Sequence, residues 1–395
     1  MHYCTFQREV HWRSFESKTN HMEFRDLKRQ YKVLEKDMEK ALLDAAESGA
    51  YIMGPQVKTL EKELAEYVGV KHCLSCANGT DALTLALKAW GIGPGDAVFV
   101  PDFTFFSSAE VVSLEGATPV FVDVKEETFN IDPEDLETAV KETIEKGILR
   151  PRVIVAVDLF GLPAPYPEIK KIADKYGLLI LEDGAQGFGG SIEGKRACSF
   201  GDISTTSFFP AKPVGCYGDG GAVFTDNDEW ASLMASYRVH GKGEFKYDNV
   251  RIGMNSRLDT IQAAVLLVKL KAFRDYELED VNKAASRYTS LLWNKVATPV
   301  VPEGFGSRWA QYTIRLEDKS QRESLQASLK EKGIPSMVYY PKPMHLQTAF
   351  SGNDGNRPCP RATSLSERVL SLPIHPYITE EEILEVVSGV LDSLR

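Results

Sequence analysis

Between residues 97 and 225 the chain repeats one pattern, a short β-rich run followed by a stretch with helical spacing of apolar side chains. The runs are 97–100 (AVFV), 119–124 (PVFVDV), 153–158 (VIVAVD), 178–182 (LLILE) and 222–225 (AVFT). Helical stretches at 81–90, 105–115, 133–146 and 165–176 precede or separate them. Strands covered on both faces read as continuous apolar runs, and these do. Such alternation builds βαβ units, so the pattern predicts an α/β fold with a mainly parallel central sheet. Open sheets of this kind take ligands at the carboxyl ends of their strands. The places to look are therefore the loops after 98–100, 153–158 and 178–182, and the segment 205–221.

The flanks fill out the organisation. Helical spacing at 28–48 and 57–67 is broken by the turn Tyr51-Ile-Met-Gly-Pro55. A long helical stretch, 256–293, leads out of the α/β part. After it come the short apolar runs Tyr312–Leu316 and Ser336–Tyr340 and helices at 320–332 and 379–394, the pattern of a smaller α+β unit. With 395 residues the chain is long enough for both. The expected division is a large domain over 22–295, a small one over 296–395, and an extension over 1–21. That extension lacks the apolar region of a signal peptide. It reads as sequence upstream of a start at Met22, or as a disordered or partner-binding tail. The polar stretch 351–361 (SGNDGNRPCPR) is expected to be weakly ordered.

Charge narrows the function. The net charge of −10 argues against duplex nucleic acid and against an anionic membrane surface as partners. No stretch approaches 18 apolar residues, so no membrane span is expected, and a cytoplasmic location follows. The six Cys read as free thiols. Cys73-x-x-Cys76 has no second ligand pair and suits small residues packed near a strand end better than a zinc or redox site.

Three segments carry possible chemistry. Asn78-Gly79-Thr80 opens a helix, where unpaired N–H groups and the dipole favour phosphate; an ordinary helix cap needs the same residues. Asp183 follows the buried run LLIL, so its carboxylate faces the crevice, to bind a metal, orient a His or pair with a protonated ring nitrogen, or else it is a satisfied structural acid. Lys212 lies between Phe208, Phe209, Pro210 and Pro213, and Gly218, Gly220 and Gly221 follow it. An apolar surround lowers an ammonium pKa and frees the amine as a nucleophile. No Walker A or GxGxxG pattern is present, which disfavours nucleotide hydrolysis and dinucleotide redox chemistry. A phosphate cradle (Gly79, Thr80, Ser207), a carboxylate for a protonated ring nitrogen (Asp183) and a reactive amine (Lys212) together meet the needs of pyridoxal 5′-phosphate.

From about Asp26 to Tyr377 the chain resembles the DegT/DnrJ/EryC1/StrS sugar aminotransferases. The matching motifs are Tyr51-Ile-Met-Gly-Pro55, Asn78-Gly-Thr-Asp-Ala-Leu83, Phe103-Thr-Phe105, Glu182-Asp183-x-Ala-Gln186, Ser207-x4-Lys212, Gly218-Asp-Gly-Gly221 and Asn255-Ser-Arg-Leu-Asp259. The resemblance implies a type I aminotransferase fold and a homodimer with shared active sites. It implies that Phe105 stacks on the cofactor ring, that Gln186 contacts the ring hydroxyl, and that Asn255 reaches the neighbouring subunit's phosphate. It also implies that Lys212 shuttles the proton. The runs at 75–83 and 207–217 are most similar to members that aminate UDP-2-acetamido-2-deoxy-3-oxo-glucuronate with glutamate. A 4-keto-6-deoxy sugar is the alternative, and a non-catalytic regulator that binds the cofactor a distant one. Arg257 suits a substrate carboxylate. Tyr339, before Tyr340, stands where relatives often carry His. Leu162 and Gly184 also depart from the family pattern, and all three are expected on the substrate side.

Overall fold

The computed structural model describes residues 22–245 and 247–394, so the expected extension at 1–21, with Cys4, lies outside the described residues. The α/β prediction holds. Seven strands form one sheet in the order His72–Cys76, Gly221–Thr225, Ile203–Ser207, Leu179–Asp183, Arg150–Val157, Asp96–Pro101 and Thr118–Val122. The last five pair in parallel. Gly221–Thr225 is antiparallel to both its neighbours. Its sequence alone does not reveal this reversal, because a fully buried strand reads as an apolar run in either direction.

Local rules fix most element ends. The helix Pro133–Lys146 starts with Asp132 accepting from the Glu134 N–H (3.0 Å) and Pro133 in the first turn, where its missing N–H costs nothing. It stops at Gly147, whose φ of 64° suits a residue without a Cβ. The long stretch expected at 256–293 begins at Thr260 and consists of Thr260–Ala272, a wide turn Phe273–Glu277 and Leu278–Leu292. Helices cover both faces of the sheet, with Leu85, Leu87, Val98, Val100 and Val155 packed in one layer and Phe99, Val122, Ile154 and Ile169 in the other.

Three elements carried no clear signal. Ile203–Ser207 (ISTTS) is written in polar letters yet lies in the sheet. Its hydroxyls are satisfied by Glu182 and Gly184, with Ser204 Oγ 2.8 Å from Glu182 Oε2 and Thr205 Oγ1 3.0 Å from the Glu182 carbonyl. His72–Cys76 and the helix Asp228–Tyr237 were likewise unmarked. The five described cysteines are free and buried.

Beyond residue 295, Tyr312–Arg315 pairs antiparallel with Val369–Leu372. The helices Leu278–Leu292, Lys319–Glu331 and Glu380–Ser393 supply the rest of that core. Ser336–Tyr340 makes a single bridge, Met337 to Ser371, before turning toward the large sheet. The stretch 351–361 is not loose. Gly355 accepts from the Phe121 N–H (3.2 Å), covering the edge strand, and Arg357 pairs with Asp135 and Glu142, each at 2.9 Å. Asp102, wholly buried past the end of Asp96–Pro101, binds the His345 backbone N–H (2.7 Å) and Nδ1 (2.6 Å), tying Met344–Leu346 to the sheet. Among the described residues no helix is long and apolar enough to cross a membrane.

Candidate functional site

A cleft of about 420 Å³ opens at the carboxyl ends of the parallel strands. Gly79, Thr80, Phe105, Asp183, Gln186, Ser207, Lys212, Tyr339 and Tyr340 all line it. Nine of the sequence-chosen residues, drawn from five separate stretches, thus line one cleft.

At one end the helix Gly79–Ala89 points its N-terminus into the cleft. Asn78 caps it, accepting from the Asp81 N–H (2.8 Å), as an ordinary helix cap does. Gly79 is required by closeness, since a Cβ there would lie 2.7 Å from Ser207 Cβ. Thr80 Oγ1 and Ser107 Oγ sit 2.9 Å apart. Hydroxyls gathered at a helix N-terminus, with backbone N–H groups unpaired, form a donor set for a phosphate dianion.

In the middle Asp183, nearly buried at the end of its strand, is held at both oxygens. Ser108 Oγ donates to Oδ2 (2.7 Å) and the Ala185 N–H to Oδ1 (3.2 Å). Thr104 Oγ1 lies 3.2 Å from Ser108 Oγ and steadies it in turn. Gln186 is fixed likewise: its Oε1 accepts from the Phe160 N–H (2.7 Å) and its Nε2 donates to Tyr340 Oη (3.0 Å). Desolvation raises the Tyr340 phenol well above its ordinary range, keeping it a neutral hydroxyl.

Opposite them stands Lys212, on the loop joining the antiparallel strands Ile203–Ser207 and Gly221–Thr225. Backbone bonds from the Phe208 N–H to Gly220 (2.7 Å) and from the Cys216 N–H to Phe208 (2.8 Å) close that loop. Desolvation pulls the Lys212 ammonium pKa down. Nearby Asp183 opposes this, and the Arg25 guanidinium, which donates to the Lys212 carbonyl (2.9 Å), adds to it. Phe105 is half exposed and faces the cleft with an open ring.

The single chain leaves Asn255 and Arg257 outside this cleft. They bond to each other, and Arg257 lines a separate basic hollow with His240, Lys242 and Arg251. Two departures expected on the substrate side are not there. A Cβ on Gly184 would meet Cys198 Sγ at 2.6 Å and the Thr205 carbonyl at 3.0 Å, so it faces the core. Leu162 packs near Phe129, Phe160 and Trp309 instead. Sequence reasoning missed Thr104, Ser107, Ser108, Asp219 and Gln311, which also line the cleft or hold its residues. The serines follow Phe103-Thr-Phe105 after one residue, Phe106, so a hydroxyl-rich turn at a strand's carboxyl end was the available signal. Gln311 carried none. The residue lines the cleft, and its Oε1 is buried with no partner among the described residues.

Residues 32–391 match the model of the DegT/DnrJ/EryC1/StrS aminotransferase family. The UDP-2-acetamido-2-deoxy-3-oxo-D-glucuronate aminotransferase of Pseudomonas aeruginosa is 44% identical, with 92% of this chain and 97% of that protein aligned. A pleiotropic regulatory protein of Geobacillus stearothermophilus is 41% identical over 94% of this chain and 98% of that one. A crystal structure of a DegT DnrJ EryC1 StrS aminotransferase from Brucella abortus superposes with a TM-score of 0.91 at 50% identity, covering 94% and 98% of the two chains.

Proposed function

The chain belongs to the DegT/DnrJ/EryC1/StrS aminotransferase family, and from that premise we propose that it moves an amino group from glutamate to the keto carbon of UDP-2-acetamido-2-deoxy-3-oxo-glucuronate. The observation that carries the reading is the convergence of Asp183, Gln186, Lys212, Ser207, Thr80 and Phe105 on one cleft.

The cofactor is pyridoxal 5′-phosphate, and relatives are solved with it or with its amine form bound. The residues fit it: Thr80, Ser107 and Ser207 bring hydroxyl donors to the cleft beside a helix N-terminus, and such donors suit a phosphate's charge. When bound it supplies an aldehyde and a ring that accepts electrons from the carbon losing its proton. Thr80 and Ser207 would hold the phosphate, Asp183 would keep the ring nitrogen protonated, and Phe105 would cover one ring face. Gln186 and Tyr340 would bond the ring hydroxyl. Lys212 Nζ, biased toward its neutral form, would first hold the aldehyde, then take and return the proton. Asn255 and Arg257 would act across a homodimer, Asn255 on the partner's phosphate and Arg257 on a substrate carboxylate. Tyr339 would border the sugar. The split into a large unit over 22–295 and a small one over 296–395 would let the second close over substrate.

The test is the visible absorbance of the cofactor-loaded chain, with Lys212→Ala beside it. Glutamate should bleach the wild-type band, and the right keto-sugar should restore it. Restoration by a 4-keto-6-deoxy sugar alone would replace the proposed acceptor. A band that no amine donor bleaches would sink the transfer reading and favour a regulatory protein.

A further inference from the structure

Behind the loop that carries Lys212 lie three cations that the cleft does not use. Arg308 is wholly buried, and its Nε and Nη1 have no partner. Its guanidinium lies 5.0 Å from the Phe273 ring, with Nη2 3.5 Å from the Pro213 carbonyl. Lys269 is 2% exposed, with Nζ 4.6 Å from the Tyr217 ring and no ion pair among the described residues. Arg25 donates to the Lys212 carbonyl at 2.9 Å. Each cation therefore touches the same segment, residues 212–217, from beneath.

The charge does not balance. Glu277 is the one carboxylate whose field reaches all three. Its Oε1 already accepts from Gln30 Nε2 (2.8 Å) and Tyr377 Oη (2.6 Å). His375 and Tyr339, which also face Arg25, and Tyr67 beside Arg308 offer no negative charge at neutral pH. Burial, and after it repulsion from Arg25, lowers Lys269 to about 8 and Arg308 to about 9, each above neutral pH. An unpaired buried charge costs several kcal/mol, and water can solvate it but not neutralise it. Arg308 exposes nothing, so no partner subunit can reach its guanidinium.

We propose that Arg25, Lys269 and Arg308 enclose a binding site for a small inorganic anion, a halide such as chloride, which braces the Lys212 loop from behind. The full burial of Arg308 admits only a ligand that fits among packed side chains, which favours a monatomic ion. The inference does not depend on which substrate the cleft takes.

The test uses the full chain loaded with cofactor. Crystals grown with sodium bromide in place of chloride should show an anomalous peak among the three cationic groups. In solution, chloride replacing gluconate at constant ionic strength should raise the thermal midpoint, because a ligand bound only by the folded state stabilises it by mass action. Arg308→Met should lose the chloride response, and Lys269→Met should weaken it; the second keeps the question open to answer if the first does not fold. Absence of a peak overturns the proposal. So does a peak with no chloride response, which would mark an adventitious ion only. A response undiminished in both variants overturns it as well.

Discussion

His375 offers a sharp test of the electrostatics where the first helix meets the last. It is 3% exposed, and its Nδ1 has no partner. Burial pushes its pKa down from 6.5 to about 4; Arg25 and Arg29 add to the shift, and Asp26 and Glu382 oppose it. The sign follows. Between pH 6.5 and 4 the unfolded chain takes up a proton that the folded chain refuses, so stability falls as pH falls through that window. A span of 2.5 pH units at about 1.4 kcal/mol each makes the full penalty about 3.5 kcal/mol, of which about 3 kcal/mol is reached by pH 4. The perturbation is His375→Gln, which cannot titrate. Urea unfolding of both proteins from pH 7.5 to 4.5 isolates the effect, because every other titrating group contributes equally to the two curves. The wild type should lose about 2–3 kcal/mol more than the variant over that range. Parallel curves would refute the reasoning and mean that His375 accepts its proton in the folded chain.

Other substitutions probe the cleft and its support. Gly184→Ala should cost about 1–3 kcal/mol in denaturant stability through contact with Cys198 Sγ, and adding Cys198→Ala should recover much of it. Costs that simply add would show that the contact does not limit packing. Gln311→Leu removes the unpartnered acceptor, so stability should hold while KM for the keto-sugar rises about tenfold, the worth of one hydrogen bond; an unchanged KM would remove Gln311 from the substrate's partners. Ser108→Ala strips Asp183 of its shortest bond, and kcat should fall roughly 10–100-fold with the cofactor still bound. Asp102→Asn should move the His345 midpoint, read by NMR, down from its raised position, since the Asp102 bond is the main cause of the rise.

The sheet was legible where burial on both faces turned strands into apolar runs, and helices where caps were written in sequence, as at Asp132-Pro133 and Gly147. Ile203–Ser207 was hidden because its buried hydroxyls find partners in Glu182 and Gly184, which no window of residues can show. The stretch 351–361 looked loose because the partners of Arg357, Asp135 and Glu142, lie more than two hundred residues away. Asp183 and Lys212 stood out because a carboxylate ending a buried strand and an amine among aromatics and prolines are costly unless used. Ser108 and Gln311 did not, since serine and glutamine are cheap almost anywhere and gain meaning only from their neighbours. Gly184 misled for the opposite reason: it adjoins Asp183 in sequence but faces away from it.

The reversed strand Gly221–Thr225 has a mechanical meaning. A parallel continuation from Ile203–Ser207 would have to carry the chain back along the whole sheet before re-entering it. Here the chain leaves and returns at the same edge, so the segment bearing Lys212 is a clasp pinned at both feet by ladder bonds from Ser207 to Gly221 and Phe208 to Gly220. Its span is set by the width between two adjacent strands, not by the path of a distant helix. The residue at the crown of such a clasp can be exchanged without moving either foot, so the side chain presented to the cleft is separable from the frame that aims it.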